Sequence, residues 1–318
     1  MVSLTTVRAS IESLRTTAPG QVYLFVGGTS GIGEHALRQL ARLAPKPKVY
    51  IVGRSPQKAQ SLLDDLRASN PEAEFVFLHR DVSLVRDTDE VCKVLLAEEG
   101  RLDGLFLSAG YAPYDGRADT VEGLDAAMTT GFYTRAQFMK TLLPLLNAAP
   151  APRVVAIFAG AKGGRLIETD LGLNKPGNFT LMNFVLGSAT MLSLAMARLA
   201  AQNPKISFMH AYPSFVWTPA LTNGSSGWKK FLLKYVIGPL IWPFGLSAAE
   251  AGDRALDYVV SEKYAVKEER KGELYLLNWN GEIEKPPKLL VEYEKREIGE
   301  KVWEHLEEVL DVALNATS

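Results

Sequence analysis

Residues 26–33 read VGGTSGIG, and the reading of that stretch decides the fold. It joins an apolar run beginning at Val22 to a stretch of helical period from Ile32. Gly27, Gly31 and Gly33 therefore fall where the backbone must turn sharply and where a phosphate must approach the N-terminus of a helix. Glycines alone carry little weight. The spacing G-x-x-x-G-x-G gains weight because the same strand and helix rhythm continues on both sides of it.

Working outward, KVYIVGR precedes a helix from Pro56, EFVFLHRDV one from Leu84, and LDGLFLSAG one from Val121. A second half follows with RVVAIFAG, a helix from about Leu181 to Ala201, KISFMHAYP, a helix from Ala248 to Val260, and GELYLLNW. Buried strands alternating with helices predict an α/β chain with a doubly wound parallel sheet covered on both faces. The expected organisation is a surface helix at 1–20, one domain at 21–285, and a C-terminal helical extension at 286–318 with Leu290, Val291, Ile298, Val302, Trp303, Leu306, Val309 and Leu310 on its packed face. Two insertions, at 159–180 and 214–246, follow strands and so lie at the strand ends where ligands bind in such sheets.

The totals exclude several classes of function. Thirty-five basic against thirty-six acidic residues leave a net charge of -1, so no broad field is available to hold nucleic acid. The single Cys92 cannot pair within the chain, which points to a core position and a reducing compartment. Val7, Ile11 and Leu14 have helical spacing, and the first twenty residues lack the continuous apolar run of a signal peptide. The most apolar run, FLLKYVIGPLIWPFGL at 231–246, is broken by Lys234, Gly238, Pro239 and Pro243 and is too short for a transmembrane segment. It is a surface suited to touch a membrane or an apolar ligand.

The glycine turn and its surroundings resemble the short-chain dehydrogenase/reductase family over most of residues 21–262, which implies a Rossmann sheet and a nicotinamide cofactor. The resemblance assigns Gly27, Thr29, Ser30, Gly31, Ile32 and Gly33 to the pyrophosphate turn. Arg54, directly after the second strand, suits a 2'-phosphate, whereas a carboxylate there would suit a free ribose hydroxyl; NADP(H) is expected. Asp81 and Val82 match the adenine-contacting pair, and Ser108, Ala109 and Gly110 match the N-A-G turn with Ser replacing Asn. YPSFVWT at 212–218 resembles the segment that clasps the nicotinamide, through Pro213, Val216 and Thr218, with Ser214 in place of a glycine.

The resemblance breaks at the catalytic residues. The family uses a Tyr proton donor, a Lys four residues later that lowers the Tyr pKa, and a Ser that orients the carbonyl. Those positions hold Phe179, Asn183 and Ala159 here, and the family's fourth-helix Asn aligns near Met128 or Thr129. No Tyr occurs between Tyr133 and Tyr212, so the absence does not depend on alignment. Phe179 is expected to keep a pocket wall while deleting the proton. Substitute candidates are Tyr133, accompanied by Arg135, then Lys162 in the loop after the fifth strand, and His210, which is able to titrate near neutrality. Asp170 and Glu168 read as a solvated loop face, and no metal is assigned. Phe215, Trp217, Trp228, Phe231, Tyr235 and Trp242 form a lid expected to cover a bulky apolar small molecule.

The lid and extension resemble a branch of the family associated with fungal specialised metabolism, which implies polyketide, terpenoid or alkaloid substrates and a soluble cytoplasmic enzyme; members of the family are often dimers or tetramers, which makes a homo-oligomer the expectation. Three functions follow from the residues: an NADP(H) oxidoreductase with an atypical proton relay, a non-redox cyclase or isomerase shaping an apolar pocket, and a catalytically silent nucleotide-binding partner.

Overall fold

The computed structural model describes residues 2–238 and 245–315. Within the apolar lid run, Trp242 and its neighbours from 239 to 244 lie outside the described residues. Eight strands form one sheet: β1 Val22–Val26, β2 Lys48–Gly53, β3 Glu74–His79, β4 Gly104–Leu107, β5 Arg153–Ile157, β6 Ser207–Ala211, β7 Leu274–Leu277 and β8 Ile283–Glu284. Their order is β3-β2-β1-β4-β5-β6-β7-β8. All neighbours pair in parallel except β7 and β8, which a tight turn at Gly281 (φ 76°) joins as a hairpin. The order reverses between β1 and β4, and a crevice opens at such a switch point beyond the strand C-termini. VGGTSGIG leaves β1 at that point. Every residue of β1, β4, β5 and β6 is buried, which explains why these strands read as continuous apolar runs without alternation.

Each face of the sheet has its own core. The helices Gly31–Leu43, Pro56–Ser69 and Ala248–Val260 cover one face through Leu37, Leu40, Leu63 and Leu256. The helices Val85–Glu98, Thr134–Thr141 and Leu181–Gln202 cover the other through Val91, Phe138 and Met196, with Cys92 fully buried among them. Leu181–Gln202 is long and apolar enough to cross a bilayer, but 72% of its apolar window is buried, and it serves as the central core helix. The C-terminal extension is two helices, Lys288–Lys295 and Ile298–Asn315. The second buries Ile298, Val302, Leu306, Leu310 and Ala313 against the core helix and the Val85–Glu98 helix.

One expected boundary is corrected. The helix read from Val121 begins at Ala126, and Val121 is 94% exposed in the preceding turn. Gly123 turns the chain at φ 72°, and Asp125 then caps the helix, its carboxylate accepting the amides of Ala118 and Met128 at 2.8 Å each. After one α turn the chain widens into a π turn at Thr129–Tyr133. Side chains take up the loosened carbonyls: Thr134 Oγ1 donates to Thr129 O at 3.0 Å, and Arg135 Nε to Thr130 O at 3.0 Å.

The N-terminal helix Leu4–Glu12 buries Val7 and Ile11 and packs on Ala248–Val260, where Arg8 meets Asp253 at 3.0 Å. Asp257 on the same helix is buried, and its Oδ1 has no hydrogen-bond partner among the described residues. Desolvation pushes its carboxyl up to about 6. From the unfolded value of about 4 up to about 6, the native state therefore holds the extra proton, and stability falls as pH rises through that window. Asp257→Asn removes this dependence. Thermal unfolding should show the variant more stable than wild type near neutral pH, by up to about 2–3 kcal/mol, with the gap closing toward about pH 4. A gap of equal size at both pH values would mean the carboxyl is not perturbed.

Candidate active site

The crevice beyond β1 and β4 is built around three glycines, and two of them have no room for a side chain. A Cβ on Gly27 (φ 95°) would lie 2.5 Å from the Ala109 amide nitrogen, and one on Gly33 would lie 2.4 Å from the Gly27 carbonyl oxygen and 2.5 Å from Ser108 Oγ. The Ser108 hydroxyl donates to Gly27 O at 3.2 Å, so the serine ties its own turn to the glycine turn. Gly110 continues that second turn. Thr218 comes down on the glycine turn from the other side, its methyl 3.0 Å from where a Cβ on Gly31 would sit.

Ser30 occupies the N-cap of Gly31–Leu43, but its side chain makes no capping bond. Ser55, Thr180 and Ser247 all cap their helices. The first amides after Ser30, including that of Ile32, are thus donors directed at the crevice, as an anion requires. Thr29 lies against Gly53 at the end of β2, its methyl 2.9 Å from a Cβ built there. Arg54 follows. Its side chain is 62% exposed, and its one ion pair among the described residues is to Asp81 at 3.7 Å. Asp81 accepts from Ser83 N and Oγ at 3.0 and 2.8 Å, and the buried Val82 has its carbonyl held by Thr134 Oγ1 at 2.9 Å. These residues fit a dinucleotide with its pyrophosphate on the glycine turn: close-approach glycines, uncapped amides and an exposed cation just after β2.

The loop after β6 closes the other end. Pro213 and Val216 sit beside the Ala248–Val260 helix and Leu246, and Leu246 N donates to Phe215 O at 2.9 Å. Ser214 holds φ 64°, the left-handed backbone that glycine adopts freely, so the serine carries strain that the glycine it replaces would not.

The proton-transfer half is different. Leu181–Gln202 contains neither Tyr nor Lys along its 22 residues. Thr180 is the N-cap and its hydroxyl accepts from Asn183 N at 3.1 Å, so Phe179 lies outside the helix that holds Asn183. The Phe179 ring stacks on Phe184 at 6.2 Å and 22°, the N'-to-N4 contact of a hydrophobic staple. Asn183 Nδ2 donates to Asn178 O at 2.9 Å and braces the same turn. Phe179 therefore fixes the helix entry. Ala159 is buried just after β5, its carbonyl accepting from Lys162 N at 3.0 Å.

The substitute candidates separate clearly. Tyr133 is buried, its hydroxyl 2.9 Å from His305 Nε2 on the C-terminal helix, and burial raises its pKa. His305 in turn lines a cleft of about 460 Å³ between the 168–174 loop and that helix, together with Asp170 and Glu308. His210 does not titrate near neutrality: it is fully buried, Nδ1 is 2.8 Å from Ser193 Oγ, and desolvation, aided by the Arg135 charge, pushes it down to about 3. Lys162 is the candidate on an accessible loop, its ammonium 5.6 Å over the Tyr212 ring, where it bridges the loops after β5 and β6.

The group that organises the strand ends is Arg135. Its Nε donates to Thr130 O, Nη1 to Leu107 O and Ile157 O at 3.1 and 3.0 Å, and Nη2 to Ala109 O at 2.7 Å. The guanidinium also lies 5.3 Å over the Phe158 ring, which stacks on His210. It has no carboxylate partner among the described residues, and burial pulls its pKa down to about 9, which leaves it charged at neutral pH. The sequence places Arg135 beside Tyr133 but gives no sign of this network, since the π turn that frees Thr130 O has no local motif.

Comparison with known proteins identifies the family of the chain. The model of the short chain dehydrogenase family matches residues 21–166. An oxidoreductase of Emericella nidulans is 37% identical over 99% of this chain and 100% of its own length. An NmrA-like family domain-containing oxidoreductase of an Aspergillus species is 34% identical over 99% of this chain and 97% of its own. Among solved structures, an NADPH-bound carbonyl reductase from chicken fatty liver superposes with a TM-score of 0.55 over 84% of this chain and 99% of that one, at 20% identity.

Proposed function

Because the chain belongs to the short-chain dehydrogenase/reductase family, we propose that it is an NADP(H)-dependent oxidoreductase of a bulky apolar metabolite that works without the family's tyrosine acid. The observation that carries this reading is the contrast between the halves of one crevice. The glycine turn, Arg54 and Thr218 retain what a dinucleotide needs, while the core helix beside them holds no Tyr and no Lys.

The cofactor, when bound, supplies hydride at its nicotinamide ring. The chain's residues do the rest. The amides after Ser30 would hold the pyrophosphate, Arg54 would pair with the 2'-phosphate, and Thr218 would hydrogen-bond the carboxamide. Arg135 provides a fixed positive charge at the ends of β4 and β5, but no proton, because it remains charged at neutral pH. Any proton comes from solvent, from the substrate or from Lys162. An iminium carbon suits this site, since hydride delivery to it gives a neutral amine directly. A simple ketone would forgo the roughly 10²–10⁴-fold that a positioned acid supplies. The relatives are fungal oxidoreductases, which favours a polyketide, terpenoid or alkaloid substrate.

Calorimetry with NADPH and NADH separately, followed by turnover read at the nicotinamide absorbance, tests the proposal. NADPH should bind more tightly. Arg54→Asp should weaken NADPH by about 10–100-fold, the value of a charge-assisted phosphate contact, and leave NADH little changed. Substrate conversion at constant nicotinamide absorbance would replace this reading with the cyclase or isomerase.

A further inference from the structure

The lid presents its aromatic side to water. Between Gly227 and Ile237 the chain forms a short helix continued by a π turn. Trp228, Phe231 and Tyr235 are 71%, 62% and 58% exposed, and Val236 joins them, whereas Leu232, Leu233 and Ile237 are turned inward and half-buried. Spacing of three and then four residues puts the three rings on one side of the segment, with the Phe231 and Tyr235 rings 5.0 Å apart. A lid that served only to cover a ligand would turn its largest apolar groups inward. This one has two apolar sides, and the bulkier faces out.

Charge marks the same surface. Segment 227–237 contains no Asp or Glu and carries Lys229, Lys230 and Lys234. Lys229 ties the lid to the body through Asp115 at 3.2 Å and the Tyr114 carbonyl at 3.1 Å. Lys230 and Lys234 are exposed beside the rings and have no carboxylate partner among the described residues, and the Lys234 ammonium lies 5.1 Å over Tyr235. Trp and Tyr with flanking lysines, and no acid, match the boundary between acyl chains and anionic headgroups.

We propose that segment 227–237 seats on an anionic bilayer surface. Trp228, Phe231 and Tyr235 enter the headgroup boundary, and Lys230 and Lys234 meet lipid phosphate and carboxylate groups. The lid is continuous with the nicotinamide-side loop, because Gly238 packs directly on the Trp217 ring. Seating would thus place the crevice where an apolar substrate partitions from the bilayer, without a passage through water.

Co-sedimentation of the full chain with phosphatidylcholine vesicles, with and without phosphatidylserine, tests this at low and high salt. Wild type should sediment with the serine-containing vesicles and be released by salt. Lys230→Glu with Lys234→Glu should weaken binding by roughly thirtyfold, and Trp228→Ser with Phe231→Ser by at least about tenfold. NADPH binding, measured in parallel, should be unchanged in both double variants. No sedimentation of wild type, or equal sedimentation with both vesicle types, would overturn the proposal. So would a wild-type dimer that the Trp228 and Phe231 changes dissolve in the absence of any vesicle binding, since the face would then serve a second copy of the chain.

Discussion

Gly33→Ala should reduce NADPH affinity by about 100-fold, the upper end of what overpacking costs, through one methyl group. That methyl would lie 2.4 Å from the Gly27 carbonyl oxygen and 2.5 Å from Ser108 Oγ. The Ser108 hydroxyl can rotate away, but the Gly27 carbonyl is backbone and must move with its turn. Gly27 cannot retreat far, because its own Cβ position is already filled by the Ala109 backbone. Relief comes from displacing the turn whose amides, under the proposed function, receive the pyrophosphate. The cost divides between folding and binding, so calorimetry is paired with a thermal melt. Gly100→Ala is the control, since a Cβ there meets nothing within 4 Å and its φ is not positive. Wild-type affinity in a folded Gly33→Ala protein would mean that the glycine turn does not hold the nucleotide.

The sheet and the glycine turn were legible because local chemistry determines them. β1, β5 and β6 are buried over their whole length and so read as apolar runs, and the glycines are required by contacts within a few residues of a strand end. The helix Ala248–Val260 was read to the residue, because Ser247 caps it and Ser261 ends it. The proton-transfer side was legible only as an absence. That no Tyr and Lys pair exists can be read from the letters, but the role of Phe179 depends on where the helix starts, and Thr180 sets that start. Tyr133 was unreadable for another reason: its hydroxyl is decided by His305, 172 residues away. His210 likewise depends on Ser193, and Arg135 on a π turn that propensity does not signal. Contacts between distant elements decided all three.

Arg135→Met is expected to destabilise the protein by about 3–5 kcal/mol, the cost of leaving several buried carbonyls without their charged donor at about 1–3 kcal/mol each, part of it recovered by relaxation. Methionine fills much of the volume, so the effect reads hydrogen bonding more than cavity formation. The carbonyls of Thr130, Leu107, Ile157 and Ala109 lose a donor together. Three of these bonds tie the ends of β4 and β5 and the turn after β4 to the helix that carries Arg135, so the loss falls on the floor of the crevice. Arg135→Lys keeps a charge but cannot reproduce the planar fork, and should recover only part of the stability. His210 supplies a second readout. The Arg135 charge is one cause of its low pKa, and desolvation is the larger. In Arg135→Met the imidazole should rise from about 3 yet remain neutral at pH 7, a shift that magnetic resonance titration detects in protein that is still folded. If unfolding measurements gave a loss below about 1 kcal/mol, typical of a surface substitution, the strand ends would be held by packing alone. Arg135 would then be free to act on a ligand. A large loss fixes it as a positioning residue, an immobile cation that holds the ends of β4 and β5 and the turn after β4 in place at the floor of the crevice.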